Sequence, residues 1–263
     1  MPPRRSFPPL LWIPAGVGLA LLVLPLVGLV VRAPWGQLPA LLSQSSVALA
    51  LGLSIATGLI STVIALVLGV PLALVLARSY DWPAIPRRLI RALVTVPLVL
   101  PPVVGGVALL LLLGRRGLIG QFLPFQIPFT PAAVVIAQVF VAMPFLVLSV
   151  EGALRAVDTR YEVAAATLGA SRFTIFRRIT LPLVAPGIAA GALLCFTRAL
   201  GEFGATITFA GSFPGRTQTL PIATYLQLQT DPDAAIALSL VLMLVSVVVL
   251  VSLRDRWVPG VTA

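Results

Sequence analysis

Lysine and histidine are absent from this chain of 263 residues, and cysteine occurs once, as Cys195. Each absence closes off a chemistry. A phosphate-cradling P-loop depends on its lysine, a Schiff base on a lysine amine, and a Ser/His dyad or His-ligated metal on imidazole. A single cysteine permits neither an intramolecular disulfide nor a Cys-pair metal site, so Cys195, set in an apolar segment, reads as a packing residue. Charge is also scarce, at 10% of residues against roughly a quarter in a soluble domain.

What fills the chain is apolar: 59% of residues are hydrophobic and the mean hydropathy is +1.08. This is the composition of an all-α integral membrane protein. The net charge of +10 comes entirely from arginine. Those arginines cluster in short segments between apolar runs, which is a topogenic pattern and not a nucleic-acid footprint.

Six uncharged runs, Leu10 to Val31, Val47 to Ala77, Ala92 to Leu113, Pro131 to Val150, Leu181 to Thr197 and Ala234 to Leu253, predict six transmembrane helices. About 20 residues cross ~30 Å of hydrocarbon. The first run follows Arg4 and Arg5 as a signal peptide would, yet exceeds a usual h-region of about 7–15 residues, so it is taken as a true span. The second is long enough that it must tilt, break near Gly69 and Pro71, or project beyond the bilayer. The fifth is short, so its helix is expected to continue through Arg198 and Glu202 toward Phe209, setting two charges at membrane depth.

With the N-terminus inside, thirteen of the eighteen arginines fall on inner segments and four on outer ones, which places both termini in the cytoplasm. Trp12, Trp35, Trp82 and Trp257 fall near span boundaries, as interfacial belts do. No internal repeat of inverted halves is present, so any two-fold symmetry requires a second copy. The chain divides into an N-terminal segment (1–9), a first span (10–31), a core (47–253) holding a long inner loop (151–180), and a tail (254–263).

Within that loop, Ala164-Ala165-Ala166 followed by Gly169 predicts a short helix with a glycine C-cap, and Ser171 is placed to cap a second. Tyr161-Glu-Val-Ala-Ala-Ala-Thr-Leu-Gly169 and Ile179-Thr180-Leu181-Pro182 resemble the ATPase-docking loop of bacterial ABC importer permeases, E-A-A, three residues, G, nine residues, I-x-L-P. Ala164, Ala165, Gly169, Ile179, Leu181 and Pro182 are in register. The family's acid would be residue 163, which is Val163 here, and the acid stands one place earlier as Glu162. The resemblance implies the type I ABC importer permease fold, a homodimer, and two cytoplasmic ATPase subunits that hydrolyse ATP, with no cofactor or metal in this chain. Small alanines let a helix enter a partner's groove, and a glycine turn sets the angle between two rigid helices.

A second block, Phe196-Thr-Arg-Ala-Leu-Gly-Glu-Phe-Gly-Ala205, is similar to the R-[SA]-L-G-E-F-G-A signature of the molybdate, tungstate and sulfate permeases. Leu98 to Gly106, Gly114 to Gly120 and Pro214 to Pro221 resemble the molybdate branch more closely than the sulfate one. The resemblance implies an extracytoplasmic molybdate-binding protein as partner and a multi-pass location in the bacterial cytoplasmic membrane. An ionisable pair at membrane depth, flanked by glycines, is read as a pathway or gate at Arg198, Gly201, Glu202, Phe203 and Gly204.

Arg198 and Glu202, four apart, share a helix face. They are open to three roles: structural ion pair, gate element, or direct anion contact through Arg198. Pro97, Pro101, Pro102, Gly105 and Gly106 in the third run free backbone groups that need protein or a water-lined cavity, as in a pathway or a packing kink. Arg115 and Arg116 mark an outer mouth that attracts a dianion or anchors by snorkelling. Gln138 is expected to bond a neighbouring helix. Leu220 to Leu228, with Tyr225, suits a short outer helix that meets the binding protein or floats at the interface. An intramembrane enzyme would need a nucleophile and base, paired carboxylates or metal ligands, whereas only Arg198 and Glu202, in the extension of the fifth run, are charged within the expected spans. A channel or secondary transporter would not need the docking pattern.

Overall fold

The computed structural model describes residues 9–79 and 82–257, and its regular structure there is entirely helical. Arg4, Arg5, the rest of the N-terminal segment before Pro9, the tail beyond Trp257 and the Trp257 side chain lie outside the described residues. The helices are α1 (Trp12–Val31), α2 (Leu38–Leu42), α3 (Ser45–Ala77), α4 (Ala84–Val99), α5 (Pro102–Leu113), α6 (Pro131–Ala156), α7 (Arg160–Thr167), α8 (Arg172–Ile175), α9 (Leu181–Leu200), α10 (Gly204–Ala210), α11 (Leu220–Leu228) and α12 (Pro232–Trp257).

Among the described residues five helices are long and apolar enough to cross a membrane, and a sixth crossing exists only if the bent pair α4 and α5 counts as one. The expected third span is therefore not a single rod. Leu100 and Pro101 both adopt extended backbone (ψ 134° and 132°), and the chain turns by 117° between the two helices. The cause is the Pro101-Pro102 pair: each ring removes an amide donor and forces the residue before it out of the helical region. Because α4 starts at Ala84, Arg87, Arg88 and Arg91 sit on a helix and not in an irregular loop.

The packed centre is α3, α6 and α9. Ala65, Ala73 and Leu76 of α3, Leu146, Val147 and Val150 of α6, and Val184, Cys195 and Ala199 of α9 form one buried cluster. Apolar side chains are as content in lipid as in protein, so close approach of small residues decides which faces meet. Gly69 shows this directly: a Cβ there would stand 3.1 Å from Leu146 and 3.2 Å from Val147. Cys195 is fully buried, in keeping with a packing role. Ser61 donates to the Gln138 side-chain oxygen at 2.9 Å, so the amide bonds a neighbouring helix as expected.

By contrast α1 contributes no buried residue. The helix α3 runs unbroken for 33 residues, about 50 Å, through Gly69 and Pro71, which leaves tilt or projection and removes a break. At the other extreme α9 stops at Leu200 and does not reach Phe209. Residues 201–203 turn, and α10 starts afresh at Gly204. Its N-terminal side is longer than expected, since α8, a π-helical turn at Phe176–Thr180 and α9 make one continuous helix, Arg172–Leu200.

Two further boundaries move. The α6 helix passes Val150 and ends at Ala156, so Glu151 is a buried helical residue and not the start of a loop. Its charge is tolerated because Arg91 and, at 2.7 Å, Arg155 pair with the same carboxylate oxygen. The last helix extends from Pro232 to Trp257, past the expected end at Leu253.

Candidate functional site

Two groups of sequence-selected residues lie at opposite ends of α9. At its beginning is the loop of α7 and α8. The α7 helix closes in a Schellman turn: Gly169 N–H donates to Ala166 O (3.0 Å) and Ala170 N–H to Ala165 O (3.1 Å), with Gly169 at φ +81°. Glycine takes that φ without strain, and asparagine tolerates it better than other side chains. Ser171 Oγ accepts from Thr174 N–H at 3.2 Å and starts the second helix. Both caps fall on the residues the sequence selected.

Glu162 points back toward the bundle. Its carboxylate takes Arg78 from the end of α3 at 3.2 Å and the Thr180 hydroxyl at 2.5 Å. It therefore ties the short helix to the ends of two long ones. Ala164 is exposed and Ala165 half-buried, while Val163, Leu168 and Phe173 present an apolar surface at 60%, 89% and 71% exposure. Ile179 is half-buried, and Leu181 and Pro182 begin α9 at the loop's far side.

Some 24 Å further along α9 stands the second group. Gly201 closes the helix, its N–H donating to Thr197 O at 3.2 Å. Glu202, 1% exposed, then splits its carboxylate: Oε2 pairs with Arg198 Nη1 at 2.6 Å, and Oε1 accepts from Ala205 N–H at 2.8 Å. The expected pair thus forms even though the helix does not continue through it. One buried carboxylate joins the end of α9 to the start of α10, satisfying an orphan amide of the new helix.

Of the third-run residues, Pro102 comes to this same turn and Gly106 to the helix that follows it, whereas Gly105 faces α6. A Cβ on Gly204 would lie 2.9 Å from Pro102 Cβ and 3.2 Å from Val103 N. One on Gly105 would lie 2.9 Å from the Phe140 ring. Gly106 makes the tightest of these three approaches, with Thr208 Cβ at 2.7 Å and Ala205 O at 2.8 Å from its would-be Cβ. The glycine doublet was the available signal, and which of the two faces α10 is a matter of helix rotation.

Phe203 packs against Tyr225 with ring centroids 4.9 Å apart and the rings tilted by 49°. That contact joins the turn to α11, which is no floating helix: Leu220 N–H donates to Ser54 Oγ at 2.7 Å, and Leu220 packs with Ala50 and Leu238. Arg115 and Arg116 are exposed beyond the end of α5, about 18 Å along that helix from Pro102, so they stand apart from the turn. Sequence inspection also passed over Glu151, whose place just outside an apolar run hid it.

Broken helices meet at a glycine-rich turn, with a separate helical loop at the far end of the same rod, an arrangement that suits a membrane transport subunit. Residues 69–259 match the family of binding-protein-dependent transport system inner membrane components, and the chain belongs to that family. It is a transport subunit and not an enzyme. The chain is 50% identical over 235 residues to the molybdenum transport system permease protein ModB of Mycobacterium tuberculosis, covering 88% of each. It is 34% identical over 215 residues to the sulfate transport system permease protein CysT of Salmonella typhimurium, covering 80% of this chain and 76% of that one. Its fold matches a crystal structure of a bacterial alginate ABC transporter in complex with a periplasmic protein (TM-score 0.74, 17% identity, 93% and 91% of the two chains).

Proposed function

We propose that this chain is the permease subunit of an ABC importer that carries molybdate across the bacterial cytoplasmic membrane. The observation that favours molybdate over sulfate is the greater identity to the ModB relative, 50% against 34%, over similar lengths. The working unit is two copies of this chain, two cytoplasmic ATPase subunits that bind and hydrolyse ATP, and an extracytoplasmic molybdate-binding protein. Both termini and the α7–α8 loop face the cytoplasm, following the arginine count.

The loop receives force and the turn uses it. Exposed Val163, Leu168 and Phe173 offer an apolar face to an ATPase groove, and an apolar residue at 163 suits that face as an acid elsewhere would suit a charged one. Glu162 is a tether to Arg78 and Thr180, so displacement of α7 moves α3 and α9 together. The rod α9 passes that displacement to the turn at Gly201 to Gly204. There a rigid helix meets a bent one, and two arrangements of such a junction provide alternating access. Glu202 acts as the structural lock of the turn, since both its oxygens are engaged within the chain.

The deciding measurement is ATP-dependent uptake by the reconstituted complex. Labelled molybdate is expected to accumulate and to be displaced by tungstate before sulfate; preferential uptake of sulfate would overturn the cargo assignment. A second expectation concerns coupling. Gly169→Val forces a β-branched residue to φ +81°, although open space surrounds the position, while Gly169→Asn tolerates that backbone. Uptake per assembled complex should fall at least tenfold in the valine variant and stay within about threefold in the asparagine one. Equal uptake in both would remove the lever role from this turn.

A further inference from the structure

At the α7–α8 end of the bundle, a cavity of about 540 Å³ opens between α4, the end of α3 and the end of α6. Arg87, Arg88, Arg91 and Arg155 line it, with Ala77 as its apolar wall. Neither the loop nor the turn uses this space. Its volume is many times the roughly 30 Å³ of a water molecule.

We propose that this cavity binds a tetrahedral oxyanion group: the phosphate of an anionic phospholipid headgroup, or a free dianion of the same shape. Buried Glu151 holds Arg91 and Arg155 through one oxygen, Oε1, so two guanidiniums are aimed by a single carboxylate and their combined charge stays positive. A guanidinium carries five N–H donors in a fixed fork, and Glu151 engages one terminal nitrogen of each, Nη2. The remaining donors suit phosphate-type oxygens, which guanidinium groups take in paired hydrogen bonds.

The placement favours the lipid source. On α4 the arginines occupy one face, while Ile85, Leu89, Leu93 and Val96 form an exposed apolar row around the helix from them. Arg88 adjoins that row, so a headgroup seated in the cavity leaves its acyl chains against apolar side chains. Basic pockets between helices at an inner membrane face are suited to acidic headgroups. The inner side rests on the orientation proposed above, whereas binding itself needs neither the ATPase nor the cargo assignment.

The test uses the full chain in nanodiscs. Arg88 is exposed and is not a partner of Glu151, so Arg88→Gln spares the fold. In mixed phosphatidylcholine and phosphatidylglycerol discs, native mass spectrometry should find phosphatidylglycerol retained by the wild type. That preference should fall about tenfold in Arg88→Gln, and further in the Arg87→Gln/Arg88→Gln pair. In phosphatidylcholine alone, inorganic phosphate and molybdate are titrated against thermal unfolding. A stabilisation seen only there, and lost in Arg88→Gln, assigns the site to the free dianion. The proposal fails if neither arm separates wild type from Arg88→Gln, or if Arg160→Gln, on the exposed loop, has the same effect.

Discussion

Arg198→Ala should lower the unfolding free energy of the solubilised chain by about 3 kcal/mol, because it leaves Glu202 charged, buried and without its cation. Glu202→Gln should cost less, about 1–2 kcal/mol, since a glutamine oxygen still accepts from Ala205 N–H and no buried charge is stranded. The asymmetry is the diagnostic. Combining Arg198→Ala with Glu202→Gln should recover part of the loss, because the double variant removes the isolated charge. Denaturant unfolding in detergent measures the stability terms, and uptake per assembled complex measures function separately. If Glu202→Gln assembles normally yet transports fully, the pair is a structural lock; a normal assembly with lost uptake would assign it to the gate. Equal costs for the two single variants would contradict the buried carboxylate's dual bonding.

Gly106→Val is expected to be the most damaging change in the third run. A side chain there meets Ala205 O at 2.8 Å and Thr208 Cβ at 2.7 Å, and the carbonyl belongs to the backbone of α10, which cannot swing aside. Overpacking of this kind costs about 1–3 kcal/mol when the surroundings can shift. Here the shift separates α5 from α10, so both stability and transport should fall. Gly105→Ala provides the contrast: its added methyl meets the edge of the Phe140 ring at 2.9 Å, and a ring can turn. Thermal unfolding of the two variants, together with the yield of assembled complex, tests this order. A Gly106→Val protein as stable as Gly105→Ala would refute the close contact between α5 and α10.

The caps of the loop were legible because capping is local. Gly169 and Ser171 act on amides within a few residues, so their roles follow from spacing alone. The Arg198 and Glu202 pair was legible for the same reason, although the helix assumed to carry it ends between them. The interruption was missed because Phe203 and Gly204 look compatible with a continuing apolar helix. What ends it is the fit of Gly204 against Pro102 and Val103, just over a hundred residues earlier.

Glu162 and Glu151 mark the same divide from the other side. Their acidity was plain, yet their partners Arg78, Thr180 and Arg91 come from distant helices. Glu162 was read as a docking contact, and the structure adds a tether to Arg78 and Thr180 that the sequence did not show. Glu151 looked like a loop residue and is the organising carboxylate of a cationic cavity. The two-part third span shows the intermediate case: Pro101 and Pro102 announce an interruption, but the 117° turn depends on how α5 seats against α10.

By itself the sequence determined that the chain is helical, membrane-embedded and without lysine or histidine chemistry, and it located the loop and the Arg198–Glu202 pair. Composition sets the solvent a chain prefers, and short-range hydrogen bonding sets its caps. Only the tertiary structure decided where helices stop, which carboxylate meets which arginine, and which glycine of the Gly105–Gly106 pair faces α10. Those outcomes depend on the rotation and depth of one helix against another, and in a chain of nearly uniform hydropathy small residues and buried charges set them, not an apolar stripe.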